Sequence, residues 1–280
     1  MKFLFDIGGS KMRISATFDG ENFSKPIINK TPKTAEEGVN VFSDTVKEIA
    51  GDGEIEGFWG GITGVWNKER DQLVYSPNME GWVNKPIADF FSEKFSAPFK
   101  FENDADVVGL GEAHHGAGKG SNICVYITIS TGVGGVRIVD GYIDKATVGF
   151  EPGHHVIDKS FIKENNSFYN STFEGHVSGT ALSKATGLDP IEIDDPDTWE
   201  RLAFESAIGI YNTILFWSPD TVVIGGSMVV GDPAIPIDRI RYHVERMTEI
   251  LPFTPENKKA ELGAIGGIYG ALTLTKQFPV

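Results

Sequence analysis

Residues 2–20 read KFLFDIGGSKMRISATFDG, and the parsing of that stretch decides the fold. Apolar residues crowd positions 3–7, Gly8-Gly9-Ser10 interrupts them, and a second strand pattern runs on from Lys11. This is a strand, a glycine-rich turn and a second strand, closed by the turn signal Asp19-Gly20. The plan returns in weaker form at 120–143, GSNICVYITISTGVGGVRIVDGYI, again two strand patterns about a glycine-rich turn.

Helix patterns alternate with the strands. In TAEEGVNVFSDTVKEIA (34–50), Val39, Phe42, Val46 and Ile49 recur at near-helical spacing behind Thr34, a good N-cap. The longest pattern is DTWERLAFESAIGIYNTILFWSPD (197–220), stopped near Ser218-Pro219. Shorter ones lie at 85–95, 104–116, 234–251 and 263–278, and further strand patterns at 54–64, 72–78, 97–103 and 221–230. The alternation implies an α/β architecture of two related lobes, with ligands at strand ends. Element order alone puts the division at residue 104. The first lobe is then 1–103, joined by the C-terminal helix 264–280, and the second is 104–263.

The bulk numbers narrow the function classes. The 280 residues suffice for a sizeable core, and 40% hydrophobic with 23% charged is an ordinary globular composition. The net charge of −14 argues against nucleic acid or an anionic membrane surface as partner, though backbone amides could still build a local phosphate site. Cys124 is the sole cysteine, which excludes an intramolecular disulfide and a multi-thiolate zinc site. No signal-peptide plan opens the chain and no run approaches the ~20 apolar residues of a membrane span, so a cytoplasmic location is expected.

Three glycine loops share one design: Asp6 to Lys11, Thr128 to Gly135 and Val223 to Met228 each run strand, glycines, then Ser or Thr. Any one of them reads as a hairpin turn. Together they suit a protein that brings backbone amides close to phosphate oxygens. None is a P-loop. Asp6 lies within a strand that otherwise reads as buried. It either caps the turn through neighbouring amides or orders a metal-bound water beside phosphates. In FENDADVVGLGEAHHG (101–116), Glu102, Asn103, Asp104 and Asp106 gather between a strand and a helix. Helix capping and the helix dipole would account for them unless the rest of the chain assigns them chemistry.

It does. FDIGGSK, SPNMEGW, ENDADVVGLGE, YITISTGVGGVRIVDG, GFEPGHH, FEGHVSGTAL and VVIGGSMV stand in the order seen in the ROK family of repressors and sugar kinases, from Asp6 to about Gly270. The resemblance implies a two-lobed actin-like ATPase (ribonuclease H-like) fold with the active site in the interlobe cleft. It implies that Asp6, Gly8, Gly9 and Lys11 lie on a first phosphate-binding hairpin and Thr131, Gly132, Gly134 and Gly135 on a second. Gly225 and Gly226 would form the adenosine-side loop. Asp104 matches the catalytic base, and Asn103, Glu151, His154 and Glu174 match sugar contacts, with Pro152 where an aliphatic residue is usual. His154 either orients a sugar hydroxyl or satisfies a buried turn. His114, His115 and His155 receive no role.

The implied activity is ATP-dependent phosphorylation of a hexose primary hydroxyl, first of all glucose, with Mg²⁺ accompanying ATP. Fructose, mannose and N-acetylated amino sugars are alternatives, as is polyphosphate as donor, although the acidic balance disfavours a long polyanion. One departure stands out: many members carry a Cys-rich zinc motif after Gly-His, whereas HVIDKSFIKENNSFYNSTFEGH (155–176) has no cysteine, so no zinc is expected. A repressor would need a helix-turn-helix ahead of Asp6, for which five preceding residues leave no room. A catalytically silent sugar-binding protein is the remaining class. IGIYNTILFWSPD (208–220) is apolar on more than one face. It reads as a core helix, and the resemblance would instead put part of it in a homodimer interface.

Overall fold

The computed structural model describes residues 1–76, 78–160, 168–248 and 250–279. Its contacts divide the chain into two units, Met1–His114 with Lys145–Gly149 and Ala264–Val280, and His115–Asp144 with Phe150–Gly263.

In the first unit β1 (Lys2–Ile7) pairs antiparallel with β2 (Lys11–Thr17), which pairs with β3 (Ile27–Lys30). On its other side β1 runs parallel to β4 (Gly57–Ile62). A short antiparallel pair follows, β5 (Val65–Trp66) and β6 (Leu73–Tyr75). β7 (Phe99–Asn103) then closes the sheet beside β4, giving the order β3-β2-β1-β4-β7. Side chains alternate across a strand. Phe3, Phe5 and Ile7 therefore join the core that also holds Phe42 of α1 (Ala35–Ala50) and Phe91 of α2 (Ile87–Phe95). Leu4 and Asp6 face the other way, where the C-terminal helix Gly266–Gln277 packs on β1 and β4. Thr34 caps α1 as expected, accepting from the Glu37 amide at 3.3 Å.

α3 (Asp104–His115) lies in this unit but for its last residue. The contact division thus assigns 104–114 and 145–149 to the first unit, where the sequence reading put them in the second. For 104–114 the reason is close backbone packing: a Cβ at Gly111 would overlap the Gly266 carbonyl oxygen, and one at Gly270 would overlap that of Val107.

The second unit repeats the plan. β8 (Ile123–Ile129), β9 (Val133–Val139) and β10 (Tyr142–Ile143) form the antiparallel part, and β11 (Thr221–Gly225) and β12 (Glu256–Lys259) the parallel part, in the order β10-β9-β8-β11-β12. Two short helices, α4 (Phe173–Val177) and α5 (Gly179–Thr186), precede the long α6 (Pro196–Trp217). α7 (Ser227–Val230) and α8 (Ile237–Met247) complete the unit. Asp195 caps α6 through the Asp197 and Thr198 amides, and Ser218 ends it in the left-handed conformation ahead of Pro219. Ile210 and Ile214 of α6 are core residues, whereas Phe204 and Phe216 are exposed.

β3, β5, β12, α4 and α5 escaped the sequence reading, and the strand pattern read over 221–230 ends at Gly225, its last four residues forming α7. ENKK offers no apolar alternation, and a five-residue helix is too short to show a period. No described helix is long and apolar enough to cross a membrane.

Candidate active site

The first glycine hairpin is locked by backbone. The Gly8 amide donates to the Lys11 carbonyl at 3.0 Å, while the Thr31 hydroxyl donates to the Gly8 carbonyl at 2.6 Å. Gly9 is confined as well, because a Cβ there would stand 2.5 Å from that of Asn78. Lys11 is exposed at the start of β2. Asp6 is buried and stands directly opposite Arg13 in the β1–β2 register, with Arg13 Nη1 3.0 Å from its Oδ2. Its carboxylate therefore pairs with a guanidinium rather than capping the turn. Burial pushes the Asp6 pKa up, and Arg13 pulls against that rise. Gly267 of the C-terminal helix leaves room for this pair, since a Cβ there would lie 2.8 Å from the Asp6 carboxyl carbon.

At the β7–α3 junction Asn103 does the capping. Its Oδ1 accepts from the Ala105 amide and its Nδ2 donates to the Gly64 carbonyl, both at 2.9 Å. One N–H and one lone pair of the amide remain for a ligand. Asp104 Oδ1 also accepts from the Ala105 amide at 2.9 Å, and the Thr63 hydroxyl hydrogen-bonds the same carboxylate. The Asp104 pKa is pushed up to about 6, first by burial and then by the neighbouring Asp6 carboxylate. The glycine at the end of β4 makes the approach feasible, a Cβ at Gly61 falling 2.9 Å from the Asp104 Cα. Of the other two acids in this stretch, Glu102 pairs with Arg70 and Asp106 is buried in the first turn of α3.

In the second unit the glycine turn spans Ser130 to Gly132, while Gly134 and Gly135 lie within β9 opposite Thr128 and Ile127. Their role is correspondingly different. A Cβ at Gly135 would meet the Tyr126 carbonyl oxygen at 2.6 Å and Pro152 at 2.9 Å, so this glycine lets the Glu151–His154 turn lie against the strand. Glu174, in the first turn of α4, accepts from the Val133 amide at 2.8 Å and presses on Gly132. Glu151 and His154 are exposed, with His154 Nε2 3.9 Å from Glu151 Oε2, beyond hydrogen-bonding distance. Partial desolvation by the surrounding turn raises the Glu151 pKa; His154 opposes the rise and Glu174 adds to it. His155 stacks on Phe173 at 5.5 Å, and burial lowers its pKa.

Gly226, with φ +85°, turns the chain after β11, where a Cβ would overlap the Ile129 carbonyl. Ser227 then reaches the second loop, its hydroxyl 2.9 Å from that of Ser130. Beside these loops lies a cavity of about 670 Å³. Pro190, Ile191 and Met228 form apolar walls, and Thr131, Lys184 and Asp189 supply polar groups. Apolar walls with a few convergent polar groups are what a nucleoside requires. Gly225 and Gly226 do not line the cavity themselves but shape the turn whose next residues do. The α5 and 189–191 contributions were missed. Their one visible signal was Ser178, which caps α5 by accepting from the Ala181 amide.

The ROK family model matches residues 4–278. The chain belongs to the ROK family. A ROK hexokinase from Thermus thermophilus superposes with a TM-score of 0.81 at 25% identity, covering 99% of each chain. A glucokinase from Streptomyces coelicolor is 24% identical over 97% of this chain and 96% of its own length. A fructokinase from Zymomonas mobilis is 30% identical over 53% of this chain and 52% of its own. The fold is accordingly the α/β actin-like ATPase fold. The match sets this ROK protein among the family's sugar kinases, which are phosphotransferases.

Among the described residues no group of three His, Cys, Asp or Glu side chains could hold an ion. A nucleotide-borne Mg²⁺ fits this arrangement, because that ion is held largely by phosphates and water with one or two carboxylates. Asp6 and Asp104 are the carboxylates the first unit offers. The expectation of no zinc falls partly on 161–167, which lie outside the described residues.

Proposed function

We propose that this ROK protein transfers the γ-phosphoryl group of ATP to the primary hydroxyl of a hexose, glucose being the first candidate. Asp104 carries the reading. A carboxylate with a pKa near 6, oriented by Thr63 and the Ala105 amide, is ionised at neutral pH yet basic enough to accept a hydroxyl proton. The sugar oxygen attacks the γ-phosphorus, its proton passes to Asp104, and ADP leaves. Phosphoryl transfer asks for positioning and charge stabilisation rather than covalent work by the protein.

Asn103, Glu151, His154 and Glu174 take the remaining hydroxyls. The two glycine turns, with Gly8 and Gly9 and with Thr131 and Gly132, offer amides to the phosphates, and Lys11 adds a cation. The cavity beside Ser130 and Ser227 takes the nucleoside. Bound with ATP, Mg²⁺ would neutralise phosphate charge; Asp6, fixed by Arg13, is placed to order its water. A cytoplasmic location accords with this substrate pair. The fructokinase relative keeps fructose as the second reading.

A coupled assay of ADP release tests the proposal across glucose, fructose, mannose, N-acetylglucosamine and N-acetylmannosamine, with Asp104→Asn alongside. One sugar should turn over, with kcat reduced about 10²–10⁴-fold in the variant. Wild-type kcat/KM should fall with acid below pH about 6 as Asp104 takes up its proton. Unchanged kcat in the variant would move the base elsewhere. Silence with both ATP and polyphosphate would leave a sugar-binding protein.

A further inference from the structure

α4 carries Glu174 and has only five residues, too few to hold a position by its own hydrogen bonds. Its location is set by neighbours. Phe173 and Val177 are buried in the core, and Thr172 caps the helix by accepting from the Gly175 amide at 3.1 Å. The third attachment is His176, two residues beyond Glu174. Its Nδ1 lies 3.3 Å from Glu205 Oε1 of α6, with the two side chains 11% and 16% exposed. Glu205 is itself held by Arg201, 2.7 Å from its other oxygen. The Asn170 backbone and the Asp158 carboxylate add attraction for the charged imidazole. One side chain thus links the Asn170 turn, α4 and α6.

We propose that His176, as the imidazolium paired with Glu205, is a positioning residue for Glu174, fixing the carboxylate against the Val133 amide where a sugar hydroxyl would meet it. The inference rests on the reading of Glu174 as a hexose contact. The Glu205 hydrogen bond, with Asp158 in support, raises the His176 pKa. The tie is therefore complete below the ordinary histidine range and is lost as pH rises through the elevated value. Elements packed against α4 also carry Arg137 on β9, Lys184 on α5, and Glu151 and His154 on the turn between. The readout is therefore the difference between wild type and variant.

The experiment measures kcat and hexose KM from pH 6 to 9 for wild type, His176→Gln, Glu205→Gln and Glu174→Gln, with a melting curve for each. His176→Gln removes the titration and keeps a neutral donor. It should raise KM about 3–10-fold at pH 6.5 with kcat within twofold of wild type. The rise of KM with pH expected of wild type should be absent. Glu205→Gln removes the anion, leaves the ring, and should give the same split; it decides the matter if His176→Gln does not fold. If Glu174→Gln raises KM while both other variants keep the wild-type KM–pH curve, the positioning role is wrong and the sugar contact stands. If Glu174→Gln leaves KM unchanged, the contact reading falls and this inference falls with it.

Discussion

Asp104 sets two opposing electrostatic effects against each other. Its place in the first turn of α3 favours the charged form by about 0.3–1 kcal/mol. Burial and the Asp6 carboxylate oppose it, and the rise from 3.8 to about 6 corresponds to at most about 3 kcal/mol against ionisation. Opposition wins, so the folded state holds this proton more tightly than the unfolded chain does. Stability therefore declines as pH rises from about 4 to about 6 and stays reduced above that window. Asp104→Asn removes the charge and keeps an acceptor for the Ala105 amide. Its melting temperature should exceed the wild type's at pH 7–8, and the gain should vanish below pH 4, where wild-type Asp104 is itself neutral. A variant less stable at pH 7.5 would show that the Thr63 and Ala105 contacts outweigh the relieved charge. The position of Asp104 at a strand-to-helix junction was readable along the chain. Its pKa was not, because Asp6 and Thr63 reach it from two other strand ends.

Helix–helix contact explains glycines that the local pattern leaves unexplained. Each glycine inside a helix costs about 1 kcal/mol against alanine, so Gly270 weakens the C-terminal helix considered alone. The crossing with α3 gives it a purpose, since any Cβ there overlaps the Val107 carbonyl. Gly270→Ala should improve local helix propensity and still destabilise the protein by about 2–3 kcal/mol, because backbone cannot move aside as a side chain can. Urea unfolding would measure it; a neutral or stabilising result would mean that the two helices can separate without loss. Gly135 follows the same logic. It lies on the strand side of the β8–β9 hairpin, where its missing side chain admits Pro152. A glycine read along the chain reports that space is needed, but not what fills it.

At the scale of the molecule, the last helix completes the first unit. Ile268, Leu272 and Leu274 are each 0–1% exposed, and the Trp59 indole donates to the Phe278 carbonyl at 3.0 Å. Burial of three such side chains contributes about 5–9 kcal/mol, comparable with the whole stability of a domain. A chain ending at Gly263 should therefore lose soluble expression, or melt without the tertiary signal of Trp59. Cooperative unfolding near the wild-type midpoint would show that the sheet stands without this cover. The repeated strand–glycine–strand block determined, by itself, that the fold is α/β with two related halves, since periodicity and turn chemistry act over a few residues. The glycine turns were legible in the same way, whereas Asp104 and Glu174 stood out only through the resemblance to the ROK family. Tertiary structure alone decided that Arg13 holds Asp6, that α3 belongs with the first unit, and that β12 exists. It also decided that His176 ties α4 to α6. Those outcomes depend on which distant surfaces meet, and the energy of such a meeting belongs to neither stretch separately.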